Sequence, residues 1–320
     1  MLARRLFFCV LNLNVTYIIT SSLMAIPEIQ IPTDDIYDAI DDDSFCIFIG
    51  AGVSRLLGCS SWDQLCISII DECNLKGWLS NPVRDEYVKD SDKKRVLNIC
   101  YYKFVRNKEK HRYFEIIRES CEGKEELRLN YNIYDELIKI PSKYVTTNFD
   151  LLFSNKFHDR DVIYKNEAFN PENIQREVLY QIHGSINEDE SIVLTTSNYA
   201  YKYNVTNYLA FLQKLFSDNL ILFIGYGLSE MEILIPLFNK VISANPRKNY
   251  ALRGYNDEKM IYLQDDIDHY SSLGITLLPF NIENKGYNLL FDNMAYWNKE
   301  IKQNCDVIFK DLNQIERLVR

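Results

Sequence analysis

Phe45-Cys46-Ile47-Phe48-Ile49-Gly50-Ala51-Gly52-Val53-Ser54 is the segment on which the fold turns. Five consecutive apolar residues run directly into two glycines. A strand buried on both faces reads this way, as strands of parallel sheets do. The glycines let the backbone turn sharply and come close to another group. A helix starting there offers free N–H groups and a positive dipole end, the usual setting for a phosphate. No G-K-[ST] follows, so the segment is not a P-loop. The same residues also serve as a plain tight β-to-α turn with no ligand.

Working outward, further apolar runs mark strands at Tyr144–Thr147, Tyr180–His183, Ile192–Thr195, Leu220–Ile224, Asn249–Leu252 and Ile275–Phe280. Helical spacing separates several of them, at Val205–Phe216, Met231–Ser243 and Glu258–Tyr270. Trp62–Cys73 reads as the helix after the first turn. Strands alternating with helices predict an α/β fold, a Rossmann-like parallel sheet with helices on both faces. From 76 to 140 the pattern is helical and charged, with candidate helices at Lys93–Val105 and Arg112–Cys121. This stretch is expected to form a smaller helical lobe inserted into a domain spanning 24–285. Asp34–Asp43 is an acidic approach, read as a solvated helix or loop. A helical tail occupies 286–320, suited to packing on the domain or to an oligomer interface. Residues 1–23 carry Arg4 and Arg5 before the apolar run Leu6–Val10, which Asn12 and Asn14 then interrupt. They are weakly signal-like and short for a membrane span. The preferred reading is a non-native extension ahead of a start at Met24.

The 320 residues are 47% hydrophobic and 25% charged, enough for a sizeable core. The net charge of -9 argues against direct binding of nucleic acid, which wants a basic face. Eight cysteines include no C-x-x-C pair, so no zinc site is expected and the thiols suit a reduced, cytoplasmic protein. Cys59, Cys66 and Cys73 are seven apart, the spacing of one helix face.

Three more motifs sit at strand ends. Thr146-Thr147-Asn148-Phe149-Asp150 offers an amide able to donate to and accept from hydroxyls or water, although Asn and Asp there also suit a helix N-cap. His183-Gly184-Ser185 offers a base near neutral pH, or a structural histidine. Phe223-Ile224-Gly225-Tyr226-Gly227-Leu228-Ser229 is a second glycine turn after a strand. One parallel sheet brings all four motifs to its carboxyl edge, where ligands of open α/β sheets bind.

In this order G-A-G-V-S, T-N-F-D, H-G and G-Y-G-x-S, together with Ser60-Ser61-Trp62-Asp63-Gln64-Leu65, resemble the sirtuin superfamily. The resemblance runs from about Phe45 to Phe280 and is nearest to a bacterial sirtuin-like branch known for NAD hydrolysis in antiphage defence. It implies cleavage of NAD, as substrate, to nicotinamide and ADP-ribose. By motif position, Asn148 would orient the ribose and the attacking water, His183 would act as general base, and Asp150 would support the pocket or Asn148. Gly50, Ala51, Gly52 and Ser54 would hold the pyrophosphate, and Thr147 would also bind the dinucleotide. Gly225, Gly227 and Ser229 would line the adenosine side. No cysteine lies between His183 and Cys305, where deacylating relatives carry a four-cysteine zinc module. No metal is therefore expected, and protein deacylation is disfavoured. A binding module that senses NAD or ADP-ribose without turnover is the second reading. No membrane association is expected. The resemblance also implies restraint until a trigger arrives, through a homo-oligomer or a partner such as a HerA-type ring ATPase.

Overall fold

A computed structural model describes residues 26–228, 230, 233, 235 and 248–305. Strands β1 (Phe45–Ile49), β2 (Lys143–Thr146), β3 (Val162–Ile163), β4 (Leu179–Gln181), β5 (Leu220–Ile224), β6 (Asn249–Tyr255) and β7 (Ile275–Asn281) form one sheet. Its seven strands run in the order β3-β4-β2-β1-β5-β6-β7, and every pairing is parallel. The helices are α1 (Asp34–Asp41), α2 (Ala51–Leu56), α3 (Trp62–Leu75), α4 (Asn81–Lys89), α5 (Lys93–Arg106), α6 (Lys110–Cys121), α7 (Glu125–Asn130) and α8 (Ile133–Leu137). They continue with α9 (Thr196–Lys202), α10 (Thr206–Asp218), α11 (Asp257–Met260), α12 (Leu263–Ser272) and α13 (Leu289–Asn304). The Rossmann-like expectation is met.

β1 and β5 are buried along their whole length, as their continuous apolar sequences require. The two-residue period divides their side chains between two cores. Ile47, Ile49, Leu222 and Ile224 face one, with Ile36 and Ile40 of α1, Ile133 and Leu137 of α8, and Met294 and Trp297 of α13. Cys46, Phe48, Ile221 and Phe223 face the other, against Phe211, Leu212, Leu215 and Phe216 of α10. From β1 the chain builds outward to β2, β4 and β3 on one side, and to β5, β6 and β7 on the other. The boundary between β1 and β5 is therefore the topological switch point, where the carboxyl edge opens a crevice.

A third core belongs to the helical lobe. Leu65, Ile69 and Ile70 of α3, Val96 and Phe104 of α5, and Tyr113 and Ile117 of α6 pack together, and Ile192 and Leu194 join them from the segment that follows β4. The lobe's packing thus begins in α3 and ends at Cys121. The stretch from Ile133 to Ile140, which the sequence grouped with it, lies in the core beneath the sheet instead. The tail is likewise divided: α13 packs into that same core, through Leu289, Leu290, Met294, Trp297 and Ile301.

Several local expectations change. Ile192–Thr195 is no strand. Asp189–Ser191 makes a 3-10 turn, Val193 N donates to His183 O at 2.9 Å, and Thr195 caps α9 in a capping box with Asn198. Short apolar runs satisfied by core contact alone look like strands in sequence. Val162–Ile163 is an edge strand too short to read. The expected helix Glu258–Tyr270 is broken into α11 and α12. α1 is amphipathic rather than simply solvated, since Ile36, Ala39 and Ile40 are buried. Cys66 and Cys73 share α3, whereas Cys59 precedes it. Within the expected helix Met231–Ser243 only Ile233 and Ile235 are described, both helical. The rest of that helix, Ser229, the 1–23 segment and 306–320 lie outside the described residues. No helix among the described residues is long and apolar enough to cross a membrane.

Candidate active site

The glycines of the two central turns are fixed by each other. Gly50 N donates to Ile224 O and Gly52 N to Gly225 O, both at 2.9 Å. A Cβ on Gly50 or Gly52 would lie 2.5 or 2.7 Å from Gly225 O. Gly225 has φ +62°, and a Cβ there would meet Val53 N at 2.7 Å. The turns after β1 and β5 therefore interlock backbone against backbone. Part of what reads in sequence as a phosphate cradle is this close approach, and the Gly52 amide is already engaged. Ala51, the first residue of α2, lies at the cleft.

The switch point holds two adjoining clefts of about 400 and about 660 Å³, both bordered by Ala51, Ser61, Trp62, Gly225 and Gly227. The first lies over β1, β2 and β4, with the lobe as its roof through Trp62 and the start of α5. It contains Thr147, Asn148, Asp150 and His183 together with Ala51, Ser54, Gly225 and Gly227. The second lies over β5 and β6 and is reached by Gly52. Gly50 lines neither, serving as the N-cap of α2 and accepting from Asn148.

Asn148 follows β2. Its backbone N–H is held by Thr146 Oγ1, and Gln181 Nε2 donates to the carbonyls of both Asn148 and Asp150. Its Nδ2 donates to Gly50 O at 3.1 Å and to Ser54 Oγ at 3.0 Å. Both amide hydrogens thus point into protein, which fixes Oδ1 as the acceptor free to serve the cleft. Ser54 donates to Asp150 Oδ2 at 2.6 Å, and Tyr134 OH lies 2.7 Å from Ser54 Oγ. With Ser54's single hydrogen given to Asp150, Tyr134 donates to Ser54. Ser54, expected at the pyrophosphate, lines the cleft and is a hub that ties Asp150 to Asn148. Asp150 also accepts from Leu152 N, and burial raises its carboxyl above the ordinary range.

His183 stands two residues beyond β4. Gly184, with φ +87°, permits the turn, since a Cβ there would overlap Ser191 O at 2.1 Å. The imidazole is nearly buried, with Nε2 3.1 Å from Tyr203 OH and 3.8 Å from Glu230 Oε2. Tyr199 packs edge-on against the ring at 5.2 Å. Glu230 accepts from Tyr199 OH and Tyr226 OH, both at 3.1 Å. Burial drives the Tyr203 hydroxyl far above its ordinary range, so it stays protonated. One cleft is therefore lined by a fixed amide acceptor, an imidazole and a carboxylate 3.8 Å from that imidazole.

Sequence reading missed Tyr134, Gln181, Tyr199, Tyr203 and Glu230. Glu230 had a weak signal, a carboxylate five residues into a glycine turn. Tyr134 had none, because it reaches Ser54 only through the fold. Among the described residues, no group of three or more His, Cys, Asp or Glu is placed to hold a metal ion.

The class the fold and site define is a Rossmann-like α/β protein with an amide, an imidazole and a two-part cleft at its topological switch point. Residues 142–270 match the family model described as a SIR2-like domain. It is 22% identical over 253 residues to a protein of Bacillus cereus (strain MSX-D12) named NAD(+) hydrolase ThsA, covering 76% of this chain and 50% of that one. Proteins of the same name from Acinetobacter baumannii (strain 532279) and Enterococcus faecium are 23% and 24% identical. They cover 70% and 67% of this chain, and 45% and 44% of their own lengths. The chain spans about half the length of the curated relatives it matches.

Proposed function

We propose that this chain is an NAD glycohydrolase, cleaving NAD to nicotinamide and ADP-ribose. The observation that carries the reading is the fixed orientation of Asn148, whose Oδ1 is left for the cleft that also holds His183. The names of the relatives, all NAD hydrolases, support it.

In this reading the C1′–N bond breaks and its electron pair returns to the pyridinium nitrogen, releasing neutral nicotinamide. Positive charge develops on the ribose, as in other glycoside cleavages. Asn148 Oδ1 accepts from the attacking water or a ribose hydroxyl and fixes its direction. The water oxygen bonds to C1′ and its proton passes to His183, with Glu230 stabilising the imidazolium that forms. Asp150 acts through Ser54, holding Asn148 in place. Ala51, Gly225 and Gly227 border both clefts, Thr147 lines the first, and Gly52 reaches the second. At the α2 start the Gly50, Gly52 and Val53 amides are bonded within the protein, which leaves the Ala51 N–H at the cleft for the pyrophosphate. No metal takes part in the reaction so written.

The physiological role we assign is antiphage defence by NAD depletion in the cytoplasm. The described cysteines, none of them in a disulfide, suit that reducing compartment. Such an activity needs restraint, which we assign to a homo-oligomer and a partner of the HerA-type ring ATPase class. Purified chain that is monomeric and fully active alone would overturn this regulation.

Chromatographic NAD turnover by wild type, Asn148→Ala and His183→Ala tests the chemistry. Each substitution is expected to lower kcat by about 10²-fold or more. NAD binding without turnover, with partner and trigger present, would identify a sensor. Turnover only with an acyl-lysine peptide would identify a deacylase.

A further inference from the structure

The second cleft is more basic than NAD requires. It is bordered by Arg55, Arg253 and Lys259, and the one carboxylate on its described lining is Asp63, exposed in the first turn of α3. This stands out in a chain of net charge -9. Arg253 lies near the carboxyl end of β6, with its guanidinium 5.5 Å from the Tyr270 ring and 5.9 Å from the Tyr255 ring. It donates to Tyr270 OH, and its nearest carboxylate oxygen, Asp266 Oδ2, is 3.5 Å away. That oxygen already accepts from Tyr255 OH at 2.6 Å. A guanidinium has five N–H donors. Those left over have no partner among the described residues. Arg55 makes no ion pair there, and Lys259 donates to Tyr287 OH at 2.7 Å rather than to a carboxylate.

With Asn148 and His183 in the first cleft, the adenosine half of a dinucleotide falls in the second, beside the Tyr270, Phe280 and Tyr287 rings. This placement rests on the NAD-cleaving reading. A site for an unmodified ribose diol uses a carboxylate to accept both hydroxyls, whereas a 2′-phosphate calls for arginine. The pyrophosphate carries two negative charges and is shared with the helix start at Ala51, so three cations in the adenosine cleft leave charge to spare. A guanidinium held between two tyrosines is pre-oriented for a bidentate phosphate. We propose that Arg253 selects the dinucleotide bearing a 2′-phosphate on its adenosine ribose, so that NADP is a substrate preferred over NAD.

Calorimetric binding of adenosine 2′,5′-bisphosphate and 5′-AMP to the full chain tests the cleft independently of turnover. Wild type is expected to bind the bisphosphate at least about tenfold more tightly, the scale of one charge-assisted hydrogen-bonded contact. Arg253→Ala should bring the ratio near one, and Arg253→Lys should restore part of it, since ammonium keeps the charge without the fork. In the active protein, the ratio of kcat/KM for NADP to that for NAD should fall by about tenfold in Arg253→Ala. Equal binding of the two probes by folded wild type, or a preference that survives Arg253→Ala, would overturn the proposal. The two readings fail separately. A bisphosphate preference without cleavage of either dinucleotide keeps the Arg253 assignment and refutes the hydrolase. NAD cleavage without a preference does the reverse.

Discussion

Asp150 and Lys202 are both buried ionisable groups, and their burial has opposite pH signatures. Asp150 is raised above 3.8 by desolvation, against the opposing bond from Ser54. The folded state therefore holds its proton more tightly than the unfolded chain does. The associated stability is fully present below pH 3.8 and is lost as pH rises through the folded value. Asp150→Asn removes this loss, so its melting temperature relative to wild type should climb from pH 4 to pH 8. A flat difference would show that the carboxyl is not perturbed. Lys202 is drawn down from 10.5 to about 7, chiefly by burial. The charge of Glu167 opposes that, and the rings of Phe169 and Tyr208 lie 4.4 and 4.6 Å from its ammonium. The unfolded chain binds the proton more strongly between about 7 and 10.5, so stability rises with pH across that window. Lys202→Met should be more stable than wild type at pH 7, with the gap closing by pH 10 in thermal melts.

At the scale of elements, the interlocked turns after β1 and β5 are the most constrained feature near the site. Gly225→Ala places a side chain on a left-handed residue and against Val53 N, and should cost about 2–4 kcal/mol in urea denaturation. Gly227 has open space around it, so Gly227→Ala should stay within about 0.5 kcal/mol of wild type. The start of α3 carries a capping box in which Ser61 Oγ accepts from Gln64 N and Gln64 Oε1 accepts from Ser61 N. Ser61→Ala should lose about 1 kcal/mol of stability. Because Ser61 and Trp62 border both clefts, that fraying should also raise KM more than it lowers kcat.

At the scale of the whole molecule, the lobe and the sheet domain are joined through the 183–199 segment. Ile192 and Leu194 enter the lobe's core, Arg118 pairs with Asp189, and Lys110 pairs with Glu190. A ligand between lobe and sheet contacts both, so its binding should stabilise them together. ADP-ribose at 100 times its Kd should add about 2.7 kcal/mol and shift one thermal transition, not two. Two separable transitions would mean that the lobe unfolds independently.

The sequence by itself determined the parallel sheet, because continuous apolar strands ending in glycine or Asx residues carry their burial and their turn chemistry locally. It determined Asn148, Asp150 and His183 as strand-end residues for the same reason, and the composite of motifs pointed to the sirtuin-like family. The tertiary structure alone decided what those residues do to one another. Ser54 reads as a phosphate ligand because it follows the glycine turn, yet it binds Asp150 and Tyr134 across 96 and 80 residues. Ile192–Thr195 reads as a strand because burial by the lobe and burial in a sheet select the same apolar residues. Arg253 between its tyrosines has no local signature, and Glu230 has only its place five residues into a glycine turn, since a side chain's partner across the sheet is set by topology and not by spacing.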